Sequence, residues 1–539
     1  MGYRVNSAVL LLLASCSLGK TKVSTATGAE NCDLSQCNSL ILAGLKDVVF
    51  LPTDLAYDAS LTYYWSATTR AVRPSCFVQP QKTEDVSKAL QVLSQTSGSD
   101  DVAIRSGGHS TWASNNVAGG VTFDLSLLNR VTYSGDTKIA SIGTGAKWGA
   151  VMLEIEKYNR TATGGRDGDV GVGGLLLGEG LSFYTRYVAG TRFPCVDSGI
   201  GSDIDVLFQS TDKSRSKRGI ASNDVVNFEV VLANGSIVNA NATANPALFK
   251  ALKGGSNNFG IVTRFDMLTL DATPGGIYGG ISFMAYEHKD TMLAGFVRMI
   301  DINGENTADT GVLILAYNSP GPATIAMAVV NLDGVENSAS FEPFQNVPVL
   351  SRDVKRRTYG DYINAFQMSG GSRKVWFSLC FKNDIDIVNK AASLWEALTA
   401  ETEDVFPGGG WGLNSVFQPM AKFYGEIGGD KNVLGLDEGL KHDSIIWLAD
   451  AAMSTPEQEA YLQRAMRTLT ETLEEYTIEK GGYTQWRYLN YVDPSQNPLK
   501  SYGEDNVRLM KRVAAQYDPD RFFQERVSSG FKISKVDHD

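Results

Sequence analysis

Four glycine-rich loops constrain the fold of this chain more than any other feature of its sequence. Glycine makes up 54 of the 539 residues, which is about 10% of the chain against a usual share of ~7%. Each loop adjoins a predicted strand, where backbone N–H groups without a neighbouring Cβ can approach phosphate oxygens closely. The pattern predicts a loop-rich fold with a cradle for a pyrophosphate, formed by residues 106–110, 143–149, 164–182 and 253–260.

Composition narrows the class of protein. Hydrophobic residues make up 43% of the chain and charged residues 20%, which is typical of globular proteins and disfavours disordered, collagen-like and coiled-coil classes. At roughly 100–200 residues per domain, the length predicts two to four domains. Lys and Arg total 49 against 60 for Asp and Glu, a net charge of −11, so nucleic acid and anionic membranes are poor candidates as partners. A small, largely uncharged molecule fits better.

Residues 1–19 have the order of a secretory signal peptide, because Arg4 precedes an apolar run at 8–13 and small residues follow. That run is too short to span a bilayer, and no later stretch approaches about 18 uninterrupted apolar residues. The sequence therefore predicts a secreted or vesicular protein without a membrane span. In that compartment, the triplets at Asn159, Asn234 and Asn241 are predicted N-glycosylation sites.

Local patterns predict secondary structure around the loops. Thr83 is placed to cap a helix with apolar spacing, and Asn234-Gly235 between alternating runs predicts a β-hairpin with a type I′ turn. From about 277 to 482 the chain changes to longer helix-like and strand-like segments, which indicates a second, α+β domain. Aromatic residues are dense again from 483 onward.

Several enzyme classes lack their motifs here. The 4 histidines include no pair spaced for a zinc protease, and the cysteines include no Cys-x-x-Cys pair. A Gly-x-Ser-x-Gly elbow and a phosphate-binding P-loop are also missing from the sequence. Hydrolases and NTPases are therefore disfavoured, and no metal ligand is predicted.

Five motifs resemble those of one family, in the family's order. They are Pro80 with Thr83-Glu-Asp-Val, Arg105-Ser-Gly-Gly-His-Ser, Gly171-Val-Gly-Gly-Leu-Leu-Leu-Gly, Lys253-Gly-Gly-Ser-Asn-Asn-Phe-Gly-Ile-Val-Thr and Tyr488-Leu-Asn-Tyr-Val-Asp. This set is similar to the FAD-linked oxidases of the vanillyl-alcohol-oxidase/PCMH superfamily, and most similar to the secreted fungal members of its berberine-bridge-enzyme-like branch. The resemblance runs from about Cys37 to Lys532.

The resemblance implies an α+β fold in two parts. A PCMH-type FAD-binding domain of two α/β subdomains is expected at 40–276, and an α+β substrate domain with an antiparallel sheet at 277–482. The segment 483–535 is expected to complete the flavin site. Cys37 and Cys76 flank the first segment as a disulfide does in secreted members, so the same bond is expected here, with Cys32 as a competing partner.

The family's cofactor residues carry over position by position. His109 stands where the family's histidine bonds to the 8α-methyl carbon of FAD, whereas the position of the second, cysteinyl link is Asp167, so a single histidyl bond is predicted. Glu179 departs from the family's glycine triplet, and an outward side chain is expected for it. The other predicted cofactor-binding residues are Arg105, Ser106, Gly107, Gly108, Ser110, Gly143, Gly145, Gly173, Gly174, Gly178, Asn258, Gly260, Val262 and Asn490.

The resemblance also implies a reaction. In this family a hydride passes from the substrate to flavin N5 while a base takes a proton, and dioxygen reoxidises the flavin to give H2O2. Tyr491 of the Asn490-Tyr491 pair is the predicted base, with Tyr488 as the second candidate. A phenol with a pKa of ~10 needs a nearby cation to act near neutral pH, and Arg487 is close in sequence.

The stretch 188–218 does not fit the family, which passes almost directly from the third glycine-rich loop to the strand after Gly219. This stretch contains Cys195 and a basic run at 213–218. One hypothesis is a surface loop, since long insertions cost little loop-closure entropy. The other is a retained intron, whose removal would also leave an even number of cysteines in the mature chain.

The sequence thus predicts a secreted FAD-dependent oxidase that removes a hydride from an alcohol or related C–H group of a small organic substrate, with O2 as the second substrate. A secondary metabolite is one such substrate class. A carbohydrate oxidase is the first alternative, and an inactive flavoprotein or binding module is the second. No residue selects the substrate, and the oligomeric state is left undetermined.

Overall fold

The computed structural model describes residues 34–96, 101–186, 188–189, 216–217, 219–302 and 308–536. The predicted signal peptide, Cys32 and Cys195 lie outside the described residues, as does most of the stretch 188–218. At the ends of that stretch, Val188–Ala189 pairs antiparallel with Ser216–Lys217. The surface-loop and retained-intron hypotheses both stay predictions.

The helix predicted near Thr83 is present at Thr83–Gln95, but Thr83 is not its cap. Lys82 occupies the cap position, and the Asp85 carboxylate accepts from the backbone N–H groups of Gln81 and Lys82 at 3.0 and 3.3 Å. The hydroxyl of Thr83 instead donates to Glu229, at 2.8 Å. The α-helices of the described chain are Ser35–Leu40, Leu55–Thr62, Ala67–Arg70, Thr83–Gln95, Trp148–Glu156, Val172–Leu177, Pro246–Leu252, Lys289–Ile302, Glu342–Gln345, Tyr359–Ala365, Ile385–Val405, Phe423–Gly428, Leu436–Gly439, Pro456–Glu479, Glu504–Tyr517 and Phe522–Glu525.

The smallest of the three main sheets leads into the first glycine-rich loop. Its strands lie in the order Val49–Phe50, Cys76–Val78, Val121–Asp124 and Val102–Arg105, and the last three are parallel. Arg105 and Asp124 stand opposite each other at the carboxyl ends of neighbouring strands and form a buried ion pair. The loop that begins at Ser106 therefore leaves the sheet from a fixed position.

The middle sheet is antiparallel and holds two more glycine-rich loops. Its strands lie in the order Ile237–Asn241, Val225–Val231, Ile261–Leu268, Ile139–Gly143 and Val131–Ser134. Loop 143–149 leaves this sheet at Gly143, and loop 253–260 enters it at Ile261. Because these two strands are neighbours, both loops lie at the same part of the sheet.

The predicted hairpin is present in the middle sheet, but its turn is not type I′. Gly235 has a φ of 82°, whereas Asn234 is outside the left-handed region, and a type I′ turn needs positive φ at both central residues. The N–H of Gly235 donates to Leu232 O at 2.8 Å. The Asn234 side chain accepts from the N–H of Ser236 at 2.9 Å, which stabilises this longer loop.

The large sheet is antiparallel throughout, and all its strands lie within 277–484. Their order is Ser351–Arg357, Ile277–Ala285, Thr324–Asn331, Asp309–Asn318, Trp411–Met420, Ser444–Met453, Arg373–Lys382 and Tyr483–Thr484. One face packs on the helices Lys289–Ile302, Ile385–Val405 and Pro456–Glu479. The other face contacts Trp65 of the first part of the chain. The predicted α+β class with an antiparallel sheet is confirmed.

The last described segment returns to the third glycine-rich loop. The side-chain amide of Asn490 donates to Gly178 O at 2.8 Å. The hydroxyl of Tyr488 accepts from the backbone N–H of Leu181 at 3.0 Å. The loop is therefore closed by residues more than three hundred positions later in the chain.

Glu179 in this loop is fully buried, so the expectation of an outward side chain is wrong. Its backbone lies in the left-handed region, with φ of 91°, which directs the side chain inward, where its Oε1 accepts from the hydroxyl of Tyr502 at 2.7 Å. In the described part of the chain, no basic side chain forms an ion pair with this carboxyl. Burial raises the pKa of Glu179 well above its ordinary value, which favours the uncharged acid.

The predicted glycosylation sites differ in exposure. Asn159 and Asn234 are exposed. Asn241 is half-buried, and its side-chain nitrogen donates to Asn227 at 3.0 Å, so it is the poorest acceptor of the three. Among the described residues, no helix is both long and apolar enough to cross a bilayer.

Cys37 and Cys76 form a disulfide, as the sequence predicted, and close a loop with a sequence separation of 39. The bond ties the first helix to the small sheet, and both cysteines are fully buried. Cys380 is a free, buried cysteine.

Replacing both Cys37 and Cys76 with serine should lower the free energy of unfolding by about 4 kcal/mol, because the unfolded chain regains the entropy of an open loop. Denaturant unfolding of oxidised protein measures this loss. Reduction of the wild-type protein should reproduce it and should leave the serine variant unchanged. A loss below about 1 kcal/mol would show that packing alone holds the N-terminal arm.

The variants Glu179→Gln and Glu179→Ala should separate the charge of Glu179 from its volume. The alanine variant leaves a void and an unpaired Tyr502 hydroxyl, so it should lose about 2–4 kcal/mol. The glutamine variant should fold as stably as the wild type near pH 4.5, the ordinary pKa of the group.

The pH dependence follows from the raised pKa of Glu179. As pH rises above 4.5, the unfolded wild type loses this proton before the folded state does, so wild-type stability falls relative to the glutamine variant. Thermal unfolding of both proteins from pH 4.5 to 8 measures the difference. A difference that is independent of pH would show that Glu179 is charged in the folded protein.

Candidate active site

The first and third glycine-rich loops lie against each other at two glycines. A Cβ on Gly107 would lie 2.4 Å from the Cα of Gly171, and the reverse distance would be 2.5 Å, so neither position has room for a side chain. Ser106 joins the loops further, since its hydroxyl donates to Thr144 O at 2.6 Å and accepts from the N–H of Gly173 at 3.2 Å. Three predicted loops therefore meet at one place.

His109 lies at the end of the first loop and stacks on Trp65. The ring centroids are 4.3 Å apart and the planes differ by 16°. Trp65 is itself fixed, because its backbone N–H donates to Gly108 O at 2.9 Å and its indole N–H donates to Met368 O at 3.2 Å. The imidazole is thus held in one plane before any ligand arrives.

Burial lowers the pKa of His109 to about 4, and the charges of Lys147 and Lys374 add to this effect while Asp169 opposes it. The ring is therefore neutral at physiological pH. Its Nε2 is buried without a hydrogen-bond partner among the described residues. Buried polar atoms are nearly always satisfied, so this nitrogen indicates that a further group belongs beside it.

Three of the predicted cofactor-binding glycines have no room for a side chain, and a fourth borders open space. Cβ atoms on Gly143 and Gly145 would lie 2.2 and 2.0 Å from backbone carbonyl oxygens, and one on Gly178 would lie 2.2 Å from Asn490 Oδ1. A Cβ on Gly174 would meet no atom within 4 Å. The bare backbone at Gly174 therefore borders open space, as a cofactor cradle requires.

The remaining predicted cofactor positions lie on the same loops. Asn258 is fully buried and its side-chain nitrogen donates to Phe531 O at 2.9 Å. Gly260 ends its loop, and Val262 is a buried residue of the adjacent strand. Ser110 accepts from the hydroxyl of Ser114 at 2.7 Å. These contacts fix the loops, and they leave direct contact with a cofactor as a prediction.

Tyr491 lies at the border between the loops and the large sheet. Its hydroxyl accepts from Arg166 Nη2 at 2.7 Å and donates to Gln418 Oε1 at 3.3 Å. Its ring packs edge-on against Trp376, with centroids 5.4 Å apart. A guanidinium bonded to a phenol oxygen stabilises the negative charge that the oxygen carries after losing its proton, so this geometry suits a base.

Tyr488, the second candidate base, has a different environment. It is buried, and its hydroxyl accepts from the backbone N–H of Leu181 and from Asn490. Burial raises the pKa of Tyr488, which disfavours loss of its proton. Arg487 pairs with Glu474 and donates to Thr484 O at 2.9 Å, whereas Arg166 supplies the cation beside Tyr491.

The Asp167 carboxylate is engaged by the backbone. Its two carboxylate oxygens accept from the backbone N–H groups of Asp169 and Met368, at 2.7 and 2.8 Å. It therefore holds its own loop against the chain near Met368. The neighbouring Arg166, at the same turn, is the side chain that reaches Tyr491.

The large sheet contributes a row of three side chains, of which Asn414 and Asp450 are not candidates from the sequence. Trp376, Asp450 and Asn414 stand side by side on three adjacent strands. The indole N–H of Trp376 and the amide of Asn414 each donate to Asp450 at 2.7 Å. Trp376 also packs edge-on against Trp65, with centroids 5.6 Å apart. Strand register is needed to find such a row, and no motif marks it.

The residues present fit FAD. Bare backbone at the meeting loops suits a pyrophosphate, and the unpaired Nε2 of His109 lies where a group must be held. The described residues contain no group of three or more His, Cys, Asp or Glu side chains that is arranged to hold a metal ion.

Comparison with known proteins agrees with this geometry. The family model described as FAD binding domain matches residues 74–193. The FAD-dependent monooxygenase drtC of Aspergillus calidoustus is 32% identical over 511 residues, which is 93% of this chain and 90% of the relative.

Two solved structures share the fold. The berberine bridge enzyme from Eschscholzia californica has a TM-score of 0.67 at 16% identity, over 94% of this chain and 100% of that one. The xylooligosaccharide oxidase from Myceliophthora thermophila C1 has a TM-score of 0.67 at 17% identity, over 92% and 99%. From the relative's identity and coverage, the chain belongs to the FAD-dependent oxidoreductases, and the solved structures show that it has the fold of the berberine bridge enzyme.

Proposed function

We propose that the protein is an oxidase that removes a hydride from an alcohol, or a related C–H group, of a small organic molecule. The observation that carries this proposal is a continuous set of ring contacts from His109 through Trp65 and Trp376 to Tyr491. The contacts bring His109, the attachment position, and Tyr491, the candidate base, to one wall of the site, which these four rings form. FAD, when bound there, accepts the hydride and passes two electrons to dioxygen, which becomes H2O2.

Tyr491 takes the substrate proton. The Tyr491 hydroxyl donates a hydrogen bond to the Gln418 oxygen at 3.3 Å. Loss of that proton to solvent leaves the oxyanion that acts as the base, and the Arg166 guanidinium, at 2.7 Å, stabilises it. A substrate hydroxyl that donates to the Tyr491 oxyanion gives up its proton to it as the hydride leaves the carbon that bears the hydroxyl. Arg166 and Gln418 hold the oxygen in place for this transfer.

His109 would hold FAD through a single covalent bond from its imidazole ring to the 8α carbon. The low pKa of His109, about 4, keeps the ring neutral and therefore nucleophilic. No second bond is proposed, because Asp167 stands in place of a thiol.

The proposal includes secretion. The signal-peptide pattern at 1–19 supports it, and the exposure of Asn159 and Asn234 is compatible with glycosylation. A covalently held cofactor also suits a protein outside the cell, where lost FAD is not replaced.

One assay separates the proposed oxidase from two other reactions. The relative drtC is named a monooxygenase, and a fold shared with a xylooligosaccharide oxidase makes a carbohydrate oxidase the alternative substrate class. Screening alcohols and oligosaccharides under ¹⁸O2 separates them. An oxidase releases one H2O2 per O2 and leaves the product unlabelled, whereas a monooxygenase labels the product. Bound flavin without O2 consumption on any compound would favour an inactive flavoprotein.

His109→Ala should abolish the acid-stable yellow colour, because the covalent bond is lost while the loops that surround the cofactor remain. Absorbance of acid-precipitated protein, and the mass of the peptide that carries His109, measure this directly. His288→Ala, at a histidine on the large-sheet side of the fold, should keep full colour. Flavin that stays bound to the acid-precipitated His109→Ala protein would refute the assignment.

Tyr491→Phe should lower kcat by about 10²-fold or more, with the flavin spectrum and unfolding temperature unchanged, because only the proton acceptor is lost. Anaerobic flavin reduction by the best substrate of the screen measures the chemical step. Tyr133→Phe, on the edge of the middle sheet, is the matched control. Tyr488→Phe should lower stability and keep the rate of flavin reduction. If Tyr488→Phe slows flavin reduction and Tyr491→Phe does not, the base is Tyr488.

A further inference from the structure

The wall beside Tyr491 has two polar ends that no other described side chain neutralises. At one end, Arg166 is half-buried, donates to Tyr491 and lies over the Phe183 ring at 5.6 Å. At the other end, Asp450 is 8% exposed and accepts one hydrogen bond from each of its two neighbours, Trp376 and Asn414. Across the described residues, neither charge has an ion-pair partner.

Asp450 retains capacity to bind a donor. A carboxylate has about four lone-pair sites, and the two hydrogen bonds at 2.7 Å use two of them. Lys374 lies two residues before Trp376, on the same face of the sheet. Its ammonium group lies over the Trp65 ring, 4.6 Å from the ring centroid. That cation disfavours a second ammonium group near Asp450. A neutral hydroxyl donor is therefore the partner that fits.

The surface between the two ends is apolar. Trp65, Trp376, Val416 and Leu448 form a small cluster of their own, separate from the large cores, with Ile314 and Tyr491 packed against it. Val416 lies on the strand between Asn414 and Gln418, on the same face. These four side chains are only 3–8% exposed, and a flat aromatic body is the ligand whose chemistry matches them.

Strand geometry sets the length of the ligand. Asn414, beside Asp450, and Gln418, beside Tyr491, are four residues apart on one strand, which is about 13 Å at about 3.3 Å per residue. Allowing a hydrogen bond of about 2.8 Å at each end leaves about 7–8 Å between the two ligand oxygens. Two fused six-membered rings with hydroxyls at opposite ends have this length.

Resting on the proposed function, we infer that the substrate is a fused-ring aromatic alcohol whose reacting hydroxyl, on a carbon that carries hydrogen, meets Tyr491 and whose distal hydroxyl donates to Asp450. Asp450 is a specificity-determining residue in this arrangement and takes no part in proton transfer. It selects ligands that carry the second hydroxyl, because a ligand without it leaves a buried carboxylate incompletely bonded.

The test uses the flavin-loaded protein with 2,6-dihydroxynaphthalene and 2-naphthol as probes. The two differ only in the distal hydroxyl. Titration of the flavin absorption band gives a Kd for each without requiring turnover. We expect the diol to bind the wild type at least about 10-fold more tightly, as a hydrogen bond to a charged group gives.

Three variants decide the role of Asp450. Asp450→Ala should remove the preference for the diol, and the isosteric Asp450→Asn should reduce it while keeping the fold if the alanine variant is unstable. Asp353→Ala, at an exposed carboxylate on the edge strand of the same sheet, should leave the preference unchanged. Equal Kd values for the two probes in the wild type, no binding of either probe, or a preference that survives in both Asp450 variants would each overturn the inference.

The proposed function is judged separately. If the Tyr491 variant blocks flavin reduction and His109 carries the flavin, yet the two naphthols bind equally, the oxidase proposal stands and the substrate class is wrong. If the diol preference depends on Asp450 but no compound reduces the flavin, the site binds such ligands without oxidising them.

Discussion

A buried ion pair between Arg105 and Asp124 holds the part of the fold on which the site depends. Both side chains are almost fully buried, at 1% and 0% exposure, and Asp124 also accepts from Ser60 at 2.8 Å and from Gln79 at 2.9 Å. Burial raises the pKa of Asp124, but Arg105 and the hydrogen bonds outweigh it and hold the pKa below its ordinary value. The pair fixes the ends of two parallel strands, so the loop that carries His109 starts from a rigid position.

The large sheet supplies the opposite half of the site through one face only. Three long helices cover its other face with an apolar core. Its free face presents Trp376 to Trp65 and Tyr491, so the rings that hold His109 and the candidate base belong to one packed unit. The site therefore lies between the glycine-rich loops and one packed face of the large sheet, and packing on both sides keeps reacting groups aligned.

Much of this arrangement is visible in the sequence. The glycine loops, the Asn490-Tyr491 pair and the Cys37–Cys76 bond are local motifs or family positions, and the structure places them at one site or pairs them as expected. Side-chain partners across the chain are not visible in this way. Arg166 meets Tyr491 across 325 positions, and Arg487 was the sequence candidate only because it is near along the chain.

Register and backbone conformation explain the other differences. The row of Trp376, Asp450 and Asn414 exists because three strands pair in one register, and no single strand reveals it. Glu179 is buried because a left-handed backbone turns an acidic residue inward, although its charge alone favours the surface. The turn at Asn234-Gly235 differs because the Asn234 side chain bonds the backbone two residues later.

The return of the last segment to the third glycine loop has a consequence for synthesis of the protein. Until Asn490 and Tyr502 leave the ribosome, the carbonyl of Gly178 and the carboxyl of Glu179 lack the partners that they have in the finished fold. A nascent chain that ends before these residues has both the large sheet and the histidine loop, but the loop between them is not closed. The third glycine-rich loop thus acquires its final hydrogen bonds only after the C-terminal segment has been synthesised.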